Sequence, residues 1–456
     1  MRIAVVGGGY VGLVSGACLA TLGWDVTVIE SNADRYRALC EGRIPIYEPG
    51  LAELVLANRE SGRLVFADRI HGSVSGADAV FLAVGTPSRR GDGHADLTYV
   101  FSAADDVAHA LTSSTILVTK STVPVGTGRR LERRMRELRP DLAIAVASNP
   151  EFLREGSAIG DFMQPDRVVI GASSTSARAI LEQIYEPLAR KGIPIWITGL
   201  ESAELIKYAA NSFLAMKISF INEIADLCEK TGADIAEVSH GMGLDQRIGA
   251  RFLSPGPGFG GSCFPKDTQA LARIAQEAGA PSRLVETVVA VNDARKASMA
   301  GRILAICGGS VRGKKVAVLG LTFKPETDDM RDAPSISIVH RLVAEGASVN
   351  AYDPEGVDQA RPLLPSNVVY ADSATAAISD ADIVVLVTEW KEFSAINASE
   401  LAARMRGNVV VDFRNVLDGG ALKAAGLIYY AIGRTMPPAA SEVWHPFGRH
   451  RLVALA

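Results

Sequence analysis

Short runs of apolar residues alternate with amphipathic segments through the first part of the chain. The apolar runs predict buried strands at residues 3–6, 26–29, 79–84, 115–118, 143–147, 167–170 and 193–197. The segments between them carry the spacing of apolar residues that is typical of helices. Because buried strands that alternate with helices build parallel sheets, this pattern predicts an α/β fold.

The pattern changes near residue 200, and the chain then reads as helix to about residue 308. Between Glu201 and Gly232 there is no proline and no internal glycine, which predicts one long helix. A loop rich in glycine, residues 258–267, interrupts this helical region.

The opening pattern of strands returns from residue 314. Four segments echo four earlier ones in the same order: 315–320 echoes 2–7, 346–353 echoes 23–30, 381–387 echoes 77–83, and 408–412 echoes 115–119. We therefore predict two Rossmann-like, doubly wound parallel-sheet domains joined by a central helical domain with a long helix. The predicted boundaries are 1–199, 200–308 and 309–456.

Composition excludes several classes of protein. The 456 residues are 48% hydrophobic and 21% charged with a net charge of -4, which gives no electrostatic footprint for nucleic acid. The five cysteines form no CxxC pair, which argues against structural zinc and against a disulfide framework. The chain opens directly as a strand, and no apolar run reaches the roughly 18 residues of a membrane span. We expect a cytoplasmic protein with no metal, no nucleic-acid partner and no membrane partner.

A glycine-rich turn connects the first predicted strand to the first predicted helix. It reads Gly7-x-Gly9-x-x-Gly12, and Glu30 ends the next strand. Such glycines let the backbone approach a pyrophosphate at a helix N-terminus, while the acid binds the ribose hydroxyls and repels a 2′-phosphate. The turn predicts NAD rather than NADP, although Arg35 lies close enough in sequence to weaken that preference. A flavin or another nucleotide is the alternative.

The second half of the chain does not repeat this glycine pattern. Its first strand ends at Gly320 and is followed by Lys324, Pro325 and Arg331. Two cations at a strand end suit a phosphate-bearing ligand, and the proline does not suit a second dinucleotide. The alternative is a solvated, charged loop.

Cys263 stands in the loop that interrupts the helical region. Gly258, Gly260 and Gly261 precede it, and Lys266 follows it. A thiol attacks only as the thiolate, a form that a nearby cation favours, so this surrounding indicates a nucleophile. A chance cysteine in a flexible loop is the alternative from this segment alone.

Polar residues at strand ends and on the long helix complete the candidate chemistry. Residues 120–124 and 149–156 each follow a strand, and ligand groups in open α/β sheets come from such positions. Glu204, Lys207 and Asn211 lie on the long helix, where the last two share one face and can hold an oxyanion. An exposed helix lysine is the alternative for Lys207, and a helix-start acid is the alternative for Glu151.

Together these motifs resemble the nucleotide-diphosphate-sugar 6-dehydrogenases, the UDP-glucose/GDP-mannose dehydrogenase family. The resemblance runs from residue 3 to about 433 and rests on residues 7–12, 85–87, 120–124, 149–156, 207–211, 258–267 and 323–331. It implies that a primary alcohol is oxidised to a carboxylate with two NAD. Residues 257–261 favour UDP-glucose by resemblance. GDP-mannose and UDP-N-acetylhexosamine remain alternative substrates, and a catalytically silent sugar-nucleotide sensor is the non-enzyme alternative.

The resemblance implies a covalent mechanism. Cys263 is the expected nucleophile, which converts an aldehyde into a thiohemiacetal and then a thioester. Lys207 and Asn211 are expected to stabilise the oxyanion. A water held by three further residues is expected to assist proton transfer, and these residues are Thr122, Glu151 and Asp267.

The resemblance also implies two sets of binding residues and a homodimer. The expected cofactor contacts are Gly7, Gly9, Tyr10, Val11, Gly12, Glu30, Arg35, Thr86, Thr122, Glu155, Lys266 and Arg331. The expected substrate contacts are Glu151, Phe152, Leu153, Lys207, Asn211, Arg247, Phe259, Gly260, Cys263, Phe323, Lys324 and Arg414. Arg247 is expected to reach a neighbouring subunit's site. Tyr10 is expected near the thiol or the nicotinamide, with a turn aromatic that covers the helix as the alternative.

Overall fold

The computed structural model describes residues 1–89 and 93–435. Residues 90–92 and 436–456, which include the end of the third predicted domain, lie outside the described residues. The chain divides into two compact units. One contains Met1–Ser212 and Lys266–Arg283, and the other contains Phe213–Pro265 and the chain from Leu284 onward. The predicted boundaries of three domains remain a prediction.

The first unit is built on an eight-stranded sheet with the order β3-β2-β1-β4-β5-β6-β7-β8. Its strands are β1 Arg2–Val6, β2 Asp25–Ile29, β3 Leu64–Ala67, β4 Ala79–Leu82, β5 Ile116–Thr119, β6 Ala145–Ser148, β7 Val168–Ala172 and β8 Ile195–Thr198. Its helices are α1 Tyr10–Thr21, α2 Ala33–Cys40, α3 Leu51–Glu60, α4 Thr98–Ala110, α5 Thr127–Leu138, α6 Ala158–Met163 and α7 Thr175–Ala189. All neighbouring strands in this sheet are parallel except β6 and β7, which are antiparallel.

Both faces of this sheet are covered, which explains its continuous apolar strands. Along β1, Ile3 and Val5 pack in one hydrophobic cluster, whereas Ala4 and Val6 pack in another. Because successive strand residues point to opposite faces, a strand buried on both sides needs apolar residues at every position.

The second unit contains a six-stranded parallel sheet with the order β11-β10-β9-β12-β13-β14. Its strands are β9 Lys315–Leu319, β10 Ser348–Tyr352, β11 Val369–Tyr370, β12 Ile383–Leu386, β13 Val409–Asp412 and β14 Ile428–Ala431. Its helices are α9 Ile235–Gly243, α12 Pro334–Ala344, α13 Val357–Ala360, α14 Ala374–Ile378, α15 Lys391–Ser394, α16 Ala398–Arg404 and α17 Gly419–Ala424. Counted along the chain, this order repeats that of β1 to β6, so the predicted duplication and the predicted fold class are confirmed.

Three long helices make up the helical region between the sheets in sequence. They are α8 Leu200–Thr231, α10 Phe264–Glu277 and α11 Arg283–Ile306. The predicted long helix is thus confirmed as the 32 residues of α8. It ends before Gly232, whose φ of +84° is the left-handed conformation that commonly ends a helix.

Candidate active site

The turn between β1 and α1 requires each of its three fingerprint glycines for a different reason. Gly7 has a φ of +108°, and a Cβ there would lie 2.6 Å from the carbonyl oxygen of Ala83. A Cβ on Gly12 would lie 1.8 Å from the carbonyl oxygen of Gly7, so only glycine lets α1 approach the strand so closely. A Cβ on Gly9 would meet nothing within 4 Å. This open side of Gly9 fits a backbone that a pyrophosphate approaches.

Glu30 lies beside this turn, directly after β2. A Cβ on Gly8 would come within 2.9 Å of the Glu30 Cβ, and the Glu30 carboxylate accepts the backbone N–H of Asn32 at 2.7 Å. Arg35 is exposed on α2, and its backbone N–H donates to the Asn32 side chain at 3.0 Å. The position of Glu30 at a strand end beside the glycine turn fits the predicted ribose contact.

Tyr10, the first residue of α1, is engaged by a carboxylate that sequence reasoning missed. Its hydroxyl donates to Glu48, which also accepts the backbone N–H groups of Gly156 at 2.6 Å and Ala158 at 2.8 Å. Burial and the Glu48 carboxylate raise the pKa of the Tyr10 phenol. Glu48 therefore ties the start of α1 to the segment that follows Glu155. No motif marks Glu48, because it lies in irregular chain between α2 and α3.

Lys207 on α8 and Glu151 after β6 form a buried ion pair. The Lys207 Nζ lies 2.9 Å from the Glu151 Oε1, and the other Glu151 oxygen accepts the backbone N–H of Leu153 at 2.6 Å. The Lys207 ammonium also lies 5.3 Å from the centre of the Phe152 ring. Burial alone would raise the pKa of Glu151, but the Lys207 charge and these hydrogen bonds hold it below its ordinary value. Glu151 is therefore ionised at neutral pH.

Asn211, one turn further along α8, binds a second buried carboxylate. Its Nδ2 donates to the Asp267 Oδ2 at 2.6 Å, and Lys266 Nζ donates to the other Asp267 oxygen at 2.7 Å. Asp267 is 1% exposed and lies in the first turn of α10, where a carboxylate also interacts favourably with the helix dipole. The face that Lys207 and Asn211 share thus carries two polar groups, each fixed by its own acid.

Lys120, directly after β5, has a buried side chain. It belongs to the segment 120–124, for which the sequence indicated ligand groups but no specific role for this lysine. Its Nζ donates to the Asn149 Oδ1 at 3.0 Å and to the Tyr185 hydroxyl at 3.3 Å. Burial lowers the pKa of Lys120 to about 8, partly offset by the Glu151 carboxylate. Asn149 also donates to the carbonyl oxygen of Val169 at 2.8 Å, so this cluster fixes the end of β6 just before Glu151.

Glu204 also lies on α8, but its carboxylate binds the N-terminus of another helix, α5. Its two oxygens accept the backbone N–H groups of Gly126 at 2.6 Å and Gly128 at 2.7 Å, at the N-terminus of α5. Burial raises the pKa of Glu204 to about 7, although these hydrogen bonds favour the ionised form. Glu204 therefore caps α5, a structural task that explains its burial.

The loop that carries Cys263 belongs to the second unit, and its glycines permit close contact with the turn after β9. A Cβ on Gly260 would lie 2.4 Å from the carbonyl oxygen of Asp332, and one on Gly261 would lie 2.6 Å from the Phe323 ring. The backbone N–H of Gly261 donates to the carbonyl oxygen of Arg331 at 2.7 Å. Cys263 itself is half-buried directly before α10.

The turn after β9 brings several predicted substrate residues together. Arg414 Nε donates to the carbonyl oxygen of Val387 at 2.7 Å, and its Nη2 donates to that of Phe323 at 3.1 Å. The Lys324 ammonium lies 5.4 Å from the centre of the Phe323 ring. Arg331 pairs with Asp329 at 2.8 Å and is largely exposed. The turn thus places the Lys324 ammonium near the Phe323 ring and the Arg414 guanidinium on the Phe323 carbonyl.

Asp353 explains why this second turn is not a second dinucleotide site. It follows β10, as Glu30 follows β2, and both acids are buried, but their hydrogen-bond partners differ. The Asp353 Oδ2 accepts the backbone N–H groups of Leu321 at 2.6 Å and Thr322 at 3.0 Å. The carboxylate that would bind a ribose in the first unit is used here to hold the turn itself.

The remaining predicted residues differ in their exposure to solvent. Thr86 is buried, whereas Val11, Thr122, Leu153 and Glu155 are half-buried in the first unit. Phe259 and Gly260 are buried in the loop of the second unit. Arg247 is exposed and pairs with Asp245 at 2.6 Å. The assigned roles of all these residues remain predictions.

The described residues contain neither a cluster suited to a metal ion nor a helix suited to cross a membrane. Within residues 1–89 and 93–435, no group of histidine, cysteine, aspartate and glutamate side chains has an arrangement suited to a metal ion. In the same part of the chain, no helix has the length and apolar character needed to cross a membrane.

Three consecutive segments of the chain match the domains of one known protein family. Residues 1–189 match the NAD binding domain of the UDP-glucose/GDP-mannose dehydrogenase family, residues 201–294 match its central domain, and residues 317–419 match its UDP binding domain. The chain belongs to the UDP-glucose/GDP-mannose dehydrogenase family. Membership in this family confirms the predicted dehydrogenase class. The first matched domain confirms NAD as the cofactor, and the third supports binding of a UDP-sugar.

Individual members of the family match nearly the whole chain. A UDP-glucose 6-dehydrogenase of Rhizobium meliloti (strain 1021) is 52% identical over 436 residues, which are 95% of this chain and 100% of that protein. The structure of a UDP-glucose dehydrogenase from Pyrobaculum islandicum is similar with a TM-score of 0.87 and 39% identity, covering 95% of this chain and 98% of that one. A UDP-D-ManNAc dehydrogenase from Pyrococcus horikoshii gives a TM-score of 0.83 and 26% identity, covering 95% and 99%.

Proposed function

We propose that this chain is an NAD-dependent UDP-glucose 6-dehydrogenase that produces UDP-glucuronate. The observation that carries the substrate is the 52% identity to the Rhizobium meliloti enzyme, which extends over 100% of that protein. The structure of the UDP-D-ManNAc dehydrogenase, at 26% identity, has the same fold but a more distant sequence.

The reaction is a four-electron oxidation of a primary alcohol. One C6 alcohol, two NAD⁺ and one water give one carboxylate, two NADH and three protons. NAD⁺, when bound, supplies the hydride acceptor for both oxidations. In the first unit, the glycine turn and Glu30 hold the cofactor, because the open side of Gly9 admits a pyrophosphate.

Lys207 and Asn211 stabilise negative charge on the C6 oxygen. The Lys207 ammonium pairs with Glu151 and can donate a hydrogen bond where negative charge develops. Asn211 is oriented by Asp267, which accepts one N–H of its amide and leaves the other N–H to donate elsewhere. Two donors with fixed orientations require little reorganisation as the charge forms.

Cys263 provides the covalent step that the second oxidation needs. Its sulfur adds to the aldehyde carbon, and the carbonyl oxygen takes up a proton to give a thiohemiacetal. Loss of hydride and of the hydroxyl proton leaves a thioester. Water then adds to the thioester carbon, and the carbon–sulfur bond breaks to release the carboxylate and the thiolate. Thr122, Glu151 and Asp267 position this water and accept its proton.

The UDP moiety binds in the second unit. Lys324 and Arg414 supply positive charge for the diphosphate, and Phe323 supplies an aromatic surface. Phe259 and Gly260, in the loop before Cys263, contact the sugar. Arg331 and Lys266 contact the cofactor. The three predicted domains, 1–199, 200–308 and 309–456, correspond to these tasks in order.

The working form is a homodimer in the cytoplasm. Three large apolar side chains lie exposed at intervals of seven residues along α8, namely Phe213 (58%), Phe220 (47%) and Leu227 (56%). Seven residues are close to two helical turns, so the three form one stripe. A second copy of α8 would cover this stripe. Arg247, whose side chain is 88% exposed, is free to extend toward a neighbouring subunit's substrate.

The decisive test is the yield of NADH for each molecule of UDP-glucose consumed. We expect two NADH and UDP-glucuronate as the product. One NADH for each UDP-glucose would indicate a simple alcohol dehydrogenase. Parallel assays with GDP-mannose and UDP-N-acetylhexosamines test the alternative substrates, and turnover of one of these without turnover of UDP-glucose would refute the substrate assignment. Binding without any NADH would favour the silent sensor.

A further inference from the structure

The loop that precedes Cys263 is held by a buried side chain of α11. Asn292 Oδ1 accepts the backbone N–H of Phe259 at 2.8 Å, and Asn292 Nδ2 donates to the carbonyl oxygen of Phe259 at 3.0 Å. Asn292 is 3% exposed. One side-chain amide thus satisfies both backbone groups of one loop residue, as a neighbouring strand would do.

The loop is built to come this close to Asn292. Gly258 has a φ of +118°, and a Cβ there would lie 3.0 Å from the Asn292 Oδ1 and 2.8 Å from a side-chain carbon of Lys296. No L-residue with a side chain adopts this conformation without strain, so Gly258 allows the loop to reach Asn292. This glycine is therefore part of the same arrangement.

Two further contacts hold the beginning of the loop. The backbone N–H of Gly256 donates to the Asn222 Oδ1 at 2.8 Å, and Arg295 Nε donates to the carbonyl oxygen of Gly256 at 2.6 Å. Asn222 and Arg295 are both buried. Arg295 lies three residues after Asn292 on α11, so the same helix holds the loop at two points.

The chain after Phe259 is also restrained as far as Cys263. Gly261 donates to the carbonyl oxygen of Arg331 at 2.7 Å. The Phe259 and Phe264 rings pack edge to face with their centres 6.0 Å apart. Cys263 lies between the two residues of this ring pair in sequence, and its backbone therefore depends on where Phe259 is held.

We propose that Asn292 is a positioning residue for Cys263. It fixes Phe259, and through Phe259 it fixes the conformation in which the half-buried thiol is presented to the aldehyde. The proposal rests on the proposed function, in which Cys263 is the nucleophile. Asn292 itself touches neither substrate nor cofactor in this account.

The test uses Asn292→Leu and Asn292→Asp in the full-length enzyme. Leucine removes both hydrogen bonds, whereas aspartate keeps the acceptor for the Phe259 N–H and loses the donor. We expect Asn292→Leu to lower kcat roughly a hundredfold, the size expected for a displacement of about 1 Å at a reacting group. Asn292→Asp should have an intermediate effect. Binding of NAD, measured by fluorescence titration, should be unchanged.

A second readout reports directly on the thiol. Iodoacetamide labelling of Cys263, followed by peptide mass spectrometry, is compared with labelling of the exposed Cys40 in the same sample. We expect Cys263 labelling in Asn292→Leu to become about fivefold faster relative to Cys40, because a loop released from α11 exposes a half-buried thiol. An unchanged or slower relative rate would overturn the proposal, as would a kcat within twofold of the wild type.

Asn58→Leu is the matched control, since Asn58 is also buried and its amide also bonds backbone oxygens, those of Ala17 and Leu54. This variant should lower Tm without changing the relative labelling of Cys263. The same increase in relative labelling of Cys263 in Asn58→Leu would show that general destabilisation explains the result. A wild-type enzyme that does not oxidise UDP-glucose would refute the proposed function, while the labelling comparison would still test the role of Asn292.

Discussion

The ammonium of Lys207 lies 2.9 Å from a carboxylate oxygen of Glu151, and the two side chains are only 3% and 5% exposed. Removal of one partner leaves the other charge buried and uncompensated. We expect Lys207→Met to lower the free energy of unfolding by roughly 3–5 kcal/mol. We also expect it to lower kcat by about 10²–10³, because an oxyanion donor is lost.

The double variant Lys207→Met, Glu151→Gln separates these two effects. It removes both charges, so urea denaturation should show recovery of most of the lost stability. NADH formation should remain as low as in the single variant. Recovery of turnover together with stability would mean that the ion pair is only structural.

Cys263→Ser tests the covalent step. A serine hydroxyl ionises far less readily than a thiol, so the variant should not complete the oxidation of UDP-glucose. We expect an intermediate at the aldehyde or ester level, detected by mass spectrometry of quenched reactions. Cys40→Ser, at an exposed position, should behave as the wild type. Full steady-state production of UDP-glucuronate by Cys263→Ser would exclude the thioester mechanism.

Gly9→Ala and Gly12→Ala should differ sharply, although both residues belong to the same fingerprint. A Cβ on Gly9 would meet nothing within 4 Å, so this variant should keep the wild-type Tm. Its affinity for NAD, measured by calorimetry, should fall at least tenfold because the methyl group occupies the approach of the pyrophosphate. A Cβ on Gly12 would lie 1.8 Å from a backbone oxygen, so this variant should lose stability. Equal Tm values for the two variants would contradict this assignment.

Lys120 should give the protein a pH-dependent stability in the alkaline range. Burial lowers its pKa from 10.5 to about 8, so between these values the unfolded chain binds more protons than the folded chain. Stability should therefore rise with pH across this interval, by an amount on the order of 3 kcal/mol relative to Lys120→Met. Nearby Cys18 stays neutral there, because burial raises its pKa to about 12. Urea midpoints measured at pH 7 and pH 10 for both proteins test this, and parallel changes in the two would contradict it.

The exposed stripe of α8 should hold the proposed homodimer together. Phe220→Asp places a charge in that stripe, so light scattering should show a monomer. Leu56→Asp is the control, because Leu56 is 53% exposed on α3 and should tolerate the charge without loss of the dimer. A Phe220→Asp protein that stays dimeric would place the interface elsewhere.

The central strands could be predicted from the sequence, but some edge strands could not. Strands β3, β11 and β14 each lie at the edge of a sheet and are only partly buried. Their sequences, LVFA in β3, VY in β11 and IYYA in β14, are apolar but only two to four residues long, and so short a run does not by itself distinguish a strand from other buried chain. The antiparallel pairing of β6 with β7 also leaves no trace in the apolar pattern.

The sequence indicated candidate site residues, whose roles remain predictions, but it did not indicate how their side chains pair. Spacing along α8 correctly put Lys207 and Asn211 on one face. It did not show that each binds its own acid, because Glu151 and Asp267 are distant in sequence. The burial of Lys120 was also missed, since its hydrogen-bond partners lie on other elements.

The use of Asp353 as an internal support has a consequence for how specificity changes. The two sheets repeat one strand order, but the first leaves an acid beside its glycine turn, whereas the second turns its acid inward to hold Leu321 and Thr322. In the proposed function, each nucleotide is recognised by its own short segment on the same order of strands. Substitutions in the turn after β9 should therefore alter the binding of the sugar nucleotide while the glycine turn of the first unit keeps its affinity for NAD.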